Sequence, residues 1–232
     1  VGFVAQTATS TGGLYVVKTT RDGVPVWERV YPAGGIGACI FELASEGFIV
    51  VGTTDRIGAG ADDFYVLRID QLGNKLWERA FGGPGEDTAR SVVTTSDGGY
   101  LIVGDSCGSA GCDLAFPESW NSWDVYVIHV DANGHKCWEA RLGGSAPDGA
   151  SWITKTSDGS YVIVGATLSY GSGCADVYLA KITISPEPPP TLGYIKGQVK
   201  DTSTGRGIQG AKVEANGLPT ASTTTDSNGN YT

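Results

Sequence analysis

One unit of sequence recurs three times, and this repeat constrains the fold more than any other feature. Each unit begins with an aromatic, apolar strand, passes a turn glycine and reaches a Trp-Glu pair. The first strands are Leu14–Val17, Phe64–Leu67 and Val125–Ile128, and the pairs begin at Trp27, Trp77 and Trp138. The units close with a second aromatic-apolar strand that ends at Gly52, Gly104 or Gly165. The first-strand tyrosines lie 50 residues apart (Tyr15 to Tyr65) and 61 residues apart (Tyr65 to Tyr126), which indicates a repeat of about 50 residues with one insertion.

Four strand-sized segments make up each repeat, separated by turn signals such as Asp22-Gly23 and Asn133-Gly134. A four-stranded antiparallel unit of this length is what one β-propeller blade needs, because blades bury their faces against neighbouring blades. A β-sandwich of unrelated hairpins is an alternative, but the recurrence of the Trp-Glu pair and the closing strand argues against it. We therefore predict an all-β fold with a β-propeller-like repeat domain over residues 1–183.

The two ends of this domain match single strands of the repeat. Residues 3–5 match the closing strand, and residues 176–179 match the first strand. Together they supply two of the four strands of a further blade. Either the chain is a slice of a longer propeller, or strands from another chain complete the sheets, since open sheet edges invite such pairing.

The repeat pattern stops after residue 183. Residues 184–192 contain a Pro-Glu-Pro-Pro-Pro run, which predicts a stiff linker. Residues 193–232 alternate polar and apolar side chains in short runs, as in Lys212-Val213-Glu214, and this pattern predicts half-buried strands of a small β-sandwich. The segment is short for a sandwich, so we expect the module to be partial.

Composition narrows the range of partners. The chain has 232 residues, 35 of them glycine, which favours many tight turns between short strands. Its formal net charge is −9, and an acidic surface repels phosphate groups, so we expect no nucleic-acid partner. No apolar stretch approaches the roughly 18 residues of a membrane span, so we expect no span.

Two family resemblances follow from these motifs. The repeat, with its Asp-x-Tyr-Val, Trp-Glu, Gly-Gly, Asp-x-Ala and Ser-Asp-Gly-Gly-Tyr elements, resembles the propeller repeats of secreted prokaryotic surface proteins. The first repeat departs from this pattern because it lacks the Asp-x-Ala step. The segment from Gly197 to Tyr231 is similar to the carboxypeptidase regulatory-like domain, a transthyretin-like sandwich. The resemblances imply an extracellular or cell-surface location and a spacer or stalk role for the second module, and neither implies a catalytic residue.

The regular tryptophans and aspartates have structural and functional interpretations. Trp27, Trp77 and Trp138 would stack sugars in a functional interpretation, but indoles at one fixed place per blade more often pack between sheets. Asp87 and Asp148 are candidate ligands of a structural calcium ion, because carboxylates in glycine-rich loops suit hard cations. Aspartates in turns more often accept backbone N–H bonds, so we expect no cofactor or metal site, with structural calcium as the open alternative.

A Gly-x-Ser-x-Gly pattern surrounds Ser106 and matches the nucleophile motif of some hydrolases. That chemistry needs a strand-to-helix turn and a converging histidine and carboxylate. No helix is predicted after Ser106, and the two histidines, His129 and His135, fall on a strand and in a turn. We interpret the pattern as a chance match in a glycine-rich chain.

The insertion at residues 106–123 carries an unusual set of side chains: Cys107, Cys112, Phe116, Trp120 and Trp123. Cys107 and Cys112 are five residues apart and are candidates for a small loop disulfide. Cys39, Cys137 and Cys174 would then leave an odd thiol, either buried or bridging chains. The aromatic residues Phe116, Trp120 and Trp123 either pack on the blades or form a recognition patch for a glycan or a protein.

These observations favour a non-enzymatic, extracellular structural or adhesive surface protein. We expect its partners to be copies of itself, joined into a filament or surface array by completing sheets between chains. A glycan- or protein-binding module that uses the aromatic insertion is the main alternative, and a secreted hydrolase is a weaker one.

Overall fold

Aromatic and apolar runs between turn glycines form short strands along the repeat domain. The computed structural model describes residues 2–7, 12–44, 46–108, 123–184, 197–201, 203–215, 221–228 and 230–231. The chain divides into a repeat domain, Val1–Ile184, and a C-terminal domain, Ser185–Thr232. The strands of the repeat domain are β1 Gly2–Thr7, β2 Leu14–Thr19, β3 Pro25–Tyr31, β4 Ile36–Leu43, β5 Gly47–Thr54, β6 Asp63–Ile69, β7 Lys75–Phe81, β8 Asp87–Thr94, β9 Tyr100–Cys107, β10 Trp123–Val130, β11 Lys136–Leu142, β12 Asp148–Lys155, β13 Tyr161–Thr167 and β14 Asp176–Ile182.

These strands form four antiparallel sheets, which we call blades 1 to 4. Blade 1 is β1-β2-β3, blade 2 is β4-β5-β6-β7, blade 3 is β8-β9-β10-β11 and blade 4 is β12-β13-β14. Blades 2, 3 and 4 begin with β4, β8 and β12. These three strands lie side by side, with β4 next to β8 and β8 next to β12. The predicted all-β, propeller-like class is confirmed, and the described residues contain no helix. None of the described segments is therefore a helix able to cross a membrane.

The blades are phased differently from the repeats of the sequence. The repeat runs from β2 to β5, but β3 and β4 lie in different sheets, whereas β5 pairs along its length with β6 of the next repeat. Each four-stranded blade therefore takes two strands from one repeat and two from the next. The sequence does not reveal this phase because turn glycines mark both kinds of connection.

The two end strands lie in two different blades. β1 pairs with β2, with Gly2 opposite Thr19, and β14 pairs with β13, with Ile182 opposite Tyr161. Among the described residues, blade 1 has no strand equivalent to β4, and blade 4 has none equivalent to β7. The prediction of one further blade with two strands is thus replaced by two three-stranded blades.

The hydrophobic core consists of three layers, one between each pair of neighbouring blades. Leu14 and Tyr31 of blade 1 pack with Phe48 and Tyr65 of blade 2 in the first layer. The second and third layers join blades 2 and 3 and blades 3 and 4 in the same way. Every residue of β5 and β6 is buried, because both faces of a central strand are covered by neighbouring blades.

The closing glycine of each repeat lies opposite a β-bulge. Gly52 faces the bulge of β4 between Gly37 and Cys39, and Gly104 faces that of β8 between Ala89 and Ser91. A Cβ at Gly52 or Gly104 would overlap a carbonyl oxygen of the bulged strand. The glycine is therefore required by close backbone approach.

The described residues of the C-terminal domain form two short antiparallel ladders and one isolated bridge, Lys200 to Gly207. Its strands are β15 Gly197–Gln198, β16 Lys212–Ala215, β17 Ala221–Thr224 and β18 Asn230–Tyr231, and β15 pairs with β18 while β16 pairs with β17. Asp201 and Asp226 hold its turns by accepting backbone N–H bonds from residues two to four positions further along the chain.

Candidate functional site

The two aspartates proposed as calcium ligands hold the connections between blades. Asp87 Oδ2 accepts the Gly83 N–H at 2.7 Å, and its other oxygen accepts the Ser106 hydroxyl. Asp148 Oδ2 accepts the Gly144 N–H at 2.7 Å in the equivalent place. Among the described residues, no group of three or more His, Cys, Asp and Glu side chains could hold a metal ion. Structural calcium at these positions stays an untested alternative.

A second carboxylate faces each of these aspartates across a glycine. Asp87 Oδ2 lies 2.5 Å from the point that a Cβ on Gly82 would occupy, and Asp63 Oδ1 lies closer still. Asp124 and Asp148 flank Gly143 in the same way. Burial, followed by the charge of the neighbouring aspartate, raises the pKa of both Asp63 and Asp124.

The sequence contained a signal for this carboxylate pair. In the strand register, the first repeat has Gly13 in place of Asp63 and Gly35 in place of Asp87. Both carboxylates are thus present in the second and third repeats and both are absent from the first. This joint occurrence within one chain indicates that the two aspartates act together.

The tryptophans of the repeat bridge neighbouring blades. Trp27 Nε1 donates to the Gln71 carbonyl of blade 2 at 3.0 Å, and Trp77 Nε1 donates to the Ala132 carbonyl of blade 3 at 3.1 Å. Trp138 packs, half-buried, against the layer between blades 3 and 4. These contacts agree with a packing role for the indoles.

The structure describes only the two ends of the aromatic insertion. Trp123 begins β10 opposite Cys107 of β9, and both side chains are buried against each other. Phe116, Trp120 and Cys112 lie outside the described residues, so the recognition patch and the Cys107–Cys112 disulfide stay predictions. Of the other cysteines, Cys39 is half-buried, and Cys137 and Cys174 are exposed.

Ser106 is buried and far from both histidines. Its side chain is fully covered and donates to Asp87. His129 lies opposite Leu101, five residues along β9 from Ser106, which corresponds to about 16 Å at the usual rise of a strand. His135 is exposed in the turn after β10, where it contacts Asp131. The described residues therefore bring no histidine to Ser106.

The outer face of blade 4 exposes apolar side chains that are buried in other blades. Val177 is 77% exposed and Leu179 is 69% exposed, with Val164 beside them. We call Val164, Val177 and Leu179 the open face. Their register equivalents are fully or almost fully buried between blades: Val51, Phe64 and Val66 in blade 2, and Val103, Val125 and Val127 in blade 3.

Comparisons with known proteins give limited likenesses. No family model matches the chain. It is 28% identical over 142 residues to the regulatory protein FlaEY of Caulobacter vibrioides, an alignment that covers 58% of this chain and 15% of FlaEY. The chain thus spans a small part of that relative. The crystal structure of a GH43_12 protein from a capybara gut metagenome aligns with a TM-score of 0.38 and 15% identity over 76% of this chain and 38% of the other, values too low to bear on activity.

Proposed function

We propose that this chain is a non-enzymatic, extracellular structural or adhesive protein that assembles with copies of itself. The open face carries the proposal, because its equivalents form the contacts between blades. Large exposed apolar patches on soluble domains commonly mark interaction sites. An extracellular location agrees with the resemblance to secreted surface repeats.

The partner that suits the open face is blade 1 of a second copy. Blade 1 presents half-buried Tyr15, whose hydroxyl donates to Glu28 at 2.8 Å. Tyr65 and Tyr126 make the same bond to Glu78 and Glu139. Those two tyrosines pack against the preceding blade in the interior. Blade 4 and blade 1 thus carry the two halves of one repeated contact.

A contact between blade 4 of one copy and blade 1 of the next copy is head-to-tail. It would also place the three-stranded sheets of the two copies next to each other. Head-to-tail contacts close into rings or continue as filaments, depending on the rotation between copies. Among the described residues, β14 and β1 each lie at an end of their sheet, which is where a strand of the neighbouring copy would pair in the proposed sheet completion.

Analytical ultracentrifugation over a concentration series tests the proposal. We expect the wild-type chain to associate and the Val177→Lys/Leu179→Lys double variant to stay monomeric, because two charges cannot be buried in an apolar contact. Leu72→Lys is the matched control, since Leu72 is 65% exposed but lies in a turn of blade 2, and it should associate like the wild type. A wild-type chain that is monomeric at every concentration would overturn the proposal.

A further inference from the structure

The end strand of blade 4 is only half-covered on the face that packs against blade 3. Tyr178, Ala180 and Ile182 of β14 lie in the layer between blades 3 and 4 and are partly buried there. Blade 3 covers them just as the preceding blade covers β6 and β10, so a missing neighbouring blade does not explain this exposure. Their register equivalents in blades 2 and 3 are at most 3% exposed: Tyr65, Leu67, Ile69, Tyr126, Ile128 and Val130.

The fourth strand of the sheet accounts for the difference. β6 and β10 each lie between two strands, and their outer neighbours are the Trp-Glu strands β7 and β11. Leu67 pairs across this ladder with Glu78, and Tyr65 pairs with Ala80, so the outer strand covers the same face of the sheet. Within the described part of the chain, β14 is the last strand of its sheet, and Tyr178 has no outer cross-strand neighbour.

One tyrosine in each of the other blades donates its hydroxyl to the glutamate of the Trp-Glu strand beside it. The bonds are Tyr15 to Glu28 at 2.8 Å, Tyr65 to Glu78 at 2.7 Å, and Tyr126 to Glu139. Tyr178 is the fourth residue of this series in the strand register. Among the described residues, no glutamate accepts from its hydroxyl. Blade 4 therefore presents a tyrosine donor at the position where the other blades bind a Trp-Glu strand.

The three Trp-Glu strands share a short sequence pattern. Each reads Trp-Glu-x-x-Φ, where Φ is Tyr31, Phe81 or Leu142. In the ladders, Φ lies opposite the residue equivalent to Val177, and the tryptophan lies opposite the residue equivalent to Lys181. The same register on β14 would put the glutamate opposite Ala180, next to Tyr178.

We propose that β14 binds an extended segment of a partner chain that carries the sequence Trp-Glu-x-x-Φ. The segment adds antiparallel to β14 as a fourth strand, and its glutamate accepts from the Tyr178 hydroxyl. In strand addition of this kind, main-chain hydrogen bonds supply affinity and side chains at alternate positions supply specificity. The inference rests on the sheet completion of the proposed function and specifies the strand that completes blade 4.

Peptide binding to the whole chain tests the proposal. The probe is a fluorescein-labelled peptide with the sequence of residues 73–83, which contains β7, and fluorescence anisotropy follows its binding. We expect saturable binding that weakens about tenfold with Glu78→Gln in the peptide, because the amide lacks the charge of the carboxylate. In the Tyr178→Phe chain the two peptides should bind with equal affinity, since the donor to the glutamate has been removed. Tyr15→Phe is the matched control, because this hydroxyl already donates to Glu28, and it should bind like the wild type.

Hydrogen exchange in the presence of the unlabelled peptide locates the added strand. Amide exchange should slow in residues 176–182 and stay unchanged in β3 and β11, which also lie at the ends of their sheets. No saturable binding, equal affinity of the wild-type chain for both peptides, or slower exchange in β3 or β11 instead of β14 would overturn the proposal. Peptide binding by a chain that stays monomeric would support it and overturn the association of copies, whereas association without peptide binding would overturn this proposal alone.

Discussion

At the scale of single residues, the connection from blade 2 to blade 3 is closely packed around one glycine. Gly82 lies between the carboxylates of Asp63 and Asp87, and the next residue, Gly83, donates its N–H to Asp87. A Cβ on Gly82 would collide with both carboxylates, whereas one on Gly83 would meet only the end of the Arg141 side chain at 3.8 Å. Gly82 therefore has no room for a side chain, whereas Gly83 does.

Alanine substitutions at Gly82 and Gly83 test this difference in the space available for a Cβ. Gly82→Ala should lower the free energy of unfolding by about 2 kcal/mol or more, because both carboxylates would have to shift and would weaken the bonds that Asp63 and Asp87 accept from backbone N–H groups. Gly83→Ala should change it by less than about 0.5 kcal/mol. Urea unfolding of both variants measures the difference, and equal losses would contradict the packing argument.

The connection between blades 2 and 3 also shows which part of the candidate site could be predicted from the sequence. Asp87 and Asp148 stood out because they follow a Gly-Gly pair at a fixed distance. Asp63 and Asp124 were not assigned as their partners, because contact between residues on distant strands depends on how blades stack. For Trp123 the sequence leaves two interpretations open, packing on the blades or a recognition patch, and the structure buries this side chain against Cys107 with an unpaired N–H.

At the scale of elements, strand positions could be predicted and strand pairing could not. Aromatic-apolar runs, the Trp-Glu pair and turn residues predict the positions of the first strand, the Trp-Glu strand and the closing strand of each repeat. The connection after the closing strand turns back within the same sheet, while the connection after the Trp-Glu strand moves to the next sheet. Local sequence encodes a turn in both cases, and only packing between blades distinguishes them.

The Trp-Glu strands should stabilise the stacking of blades through their indoles. Trp77→Ala should cost about 2–4 kcal/mol, since it removes a half-buried ring beside Tyr100 and the hydrogen bond to Ala132. Trp152→Ala is the matched control, because this indole is 53% exposed, and the loss should stay below about 1 kcal/mol. Thermal unfolding of both variants gives the comparison, and a similar loss in each would argue against a bridging role.

At the scale of the whole molecule, buried carboxylates make stability depend on pH in two opposite directions. Burial raises the pKa of Asp63 above its ordinary value of 3.8, so the folded state takes up a proton before the unfolded state does as the pH falls. This residue therefore adds stability on acidification. The pKa of Asp148 is lowered by its hydrogen bonds, so its contribution is present above pH 3.8 and is lost as the pH falls through the lowered value.

Two asparagine variants test these opposite effects of pH on stability. Relative to wild type, Asp63→Asn should be most stable near neutral pH and should lose that advantage as the pH falls towards 3.8. Asp148→Asn should be less stable than wild type near neutral pH and should approach it only in stronger acid. Urea unfolding across this pH range measures both differences, and parallel pH profiles for the two variants would contradict the assignment.

Because each four-stranded blade joins halves of two successive repeats, no repeat can melt alone. Unfolding of one repeat would break strand pairing in two sheets and would expose the apolar layers on either side to water. The stability of a repeat array is the sum of each repeat's own stability and its contacts with neighbours, and the shared sheets and apolar layers make these contacts large here, so we expect a steep, collective transition. The domain should behave in denaturant as one cooperative block, with a single sharp midpoint shared by probes placed in any blade.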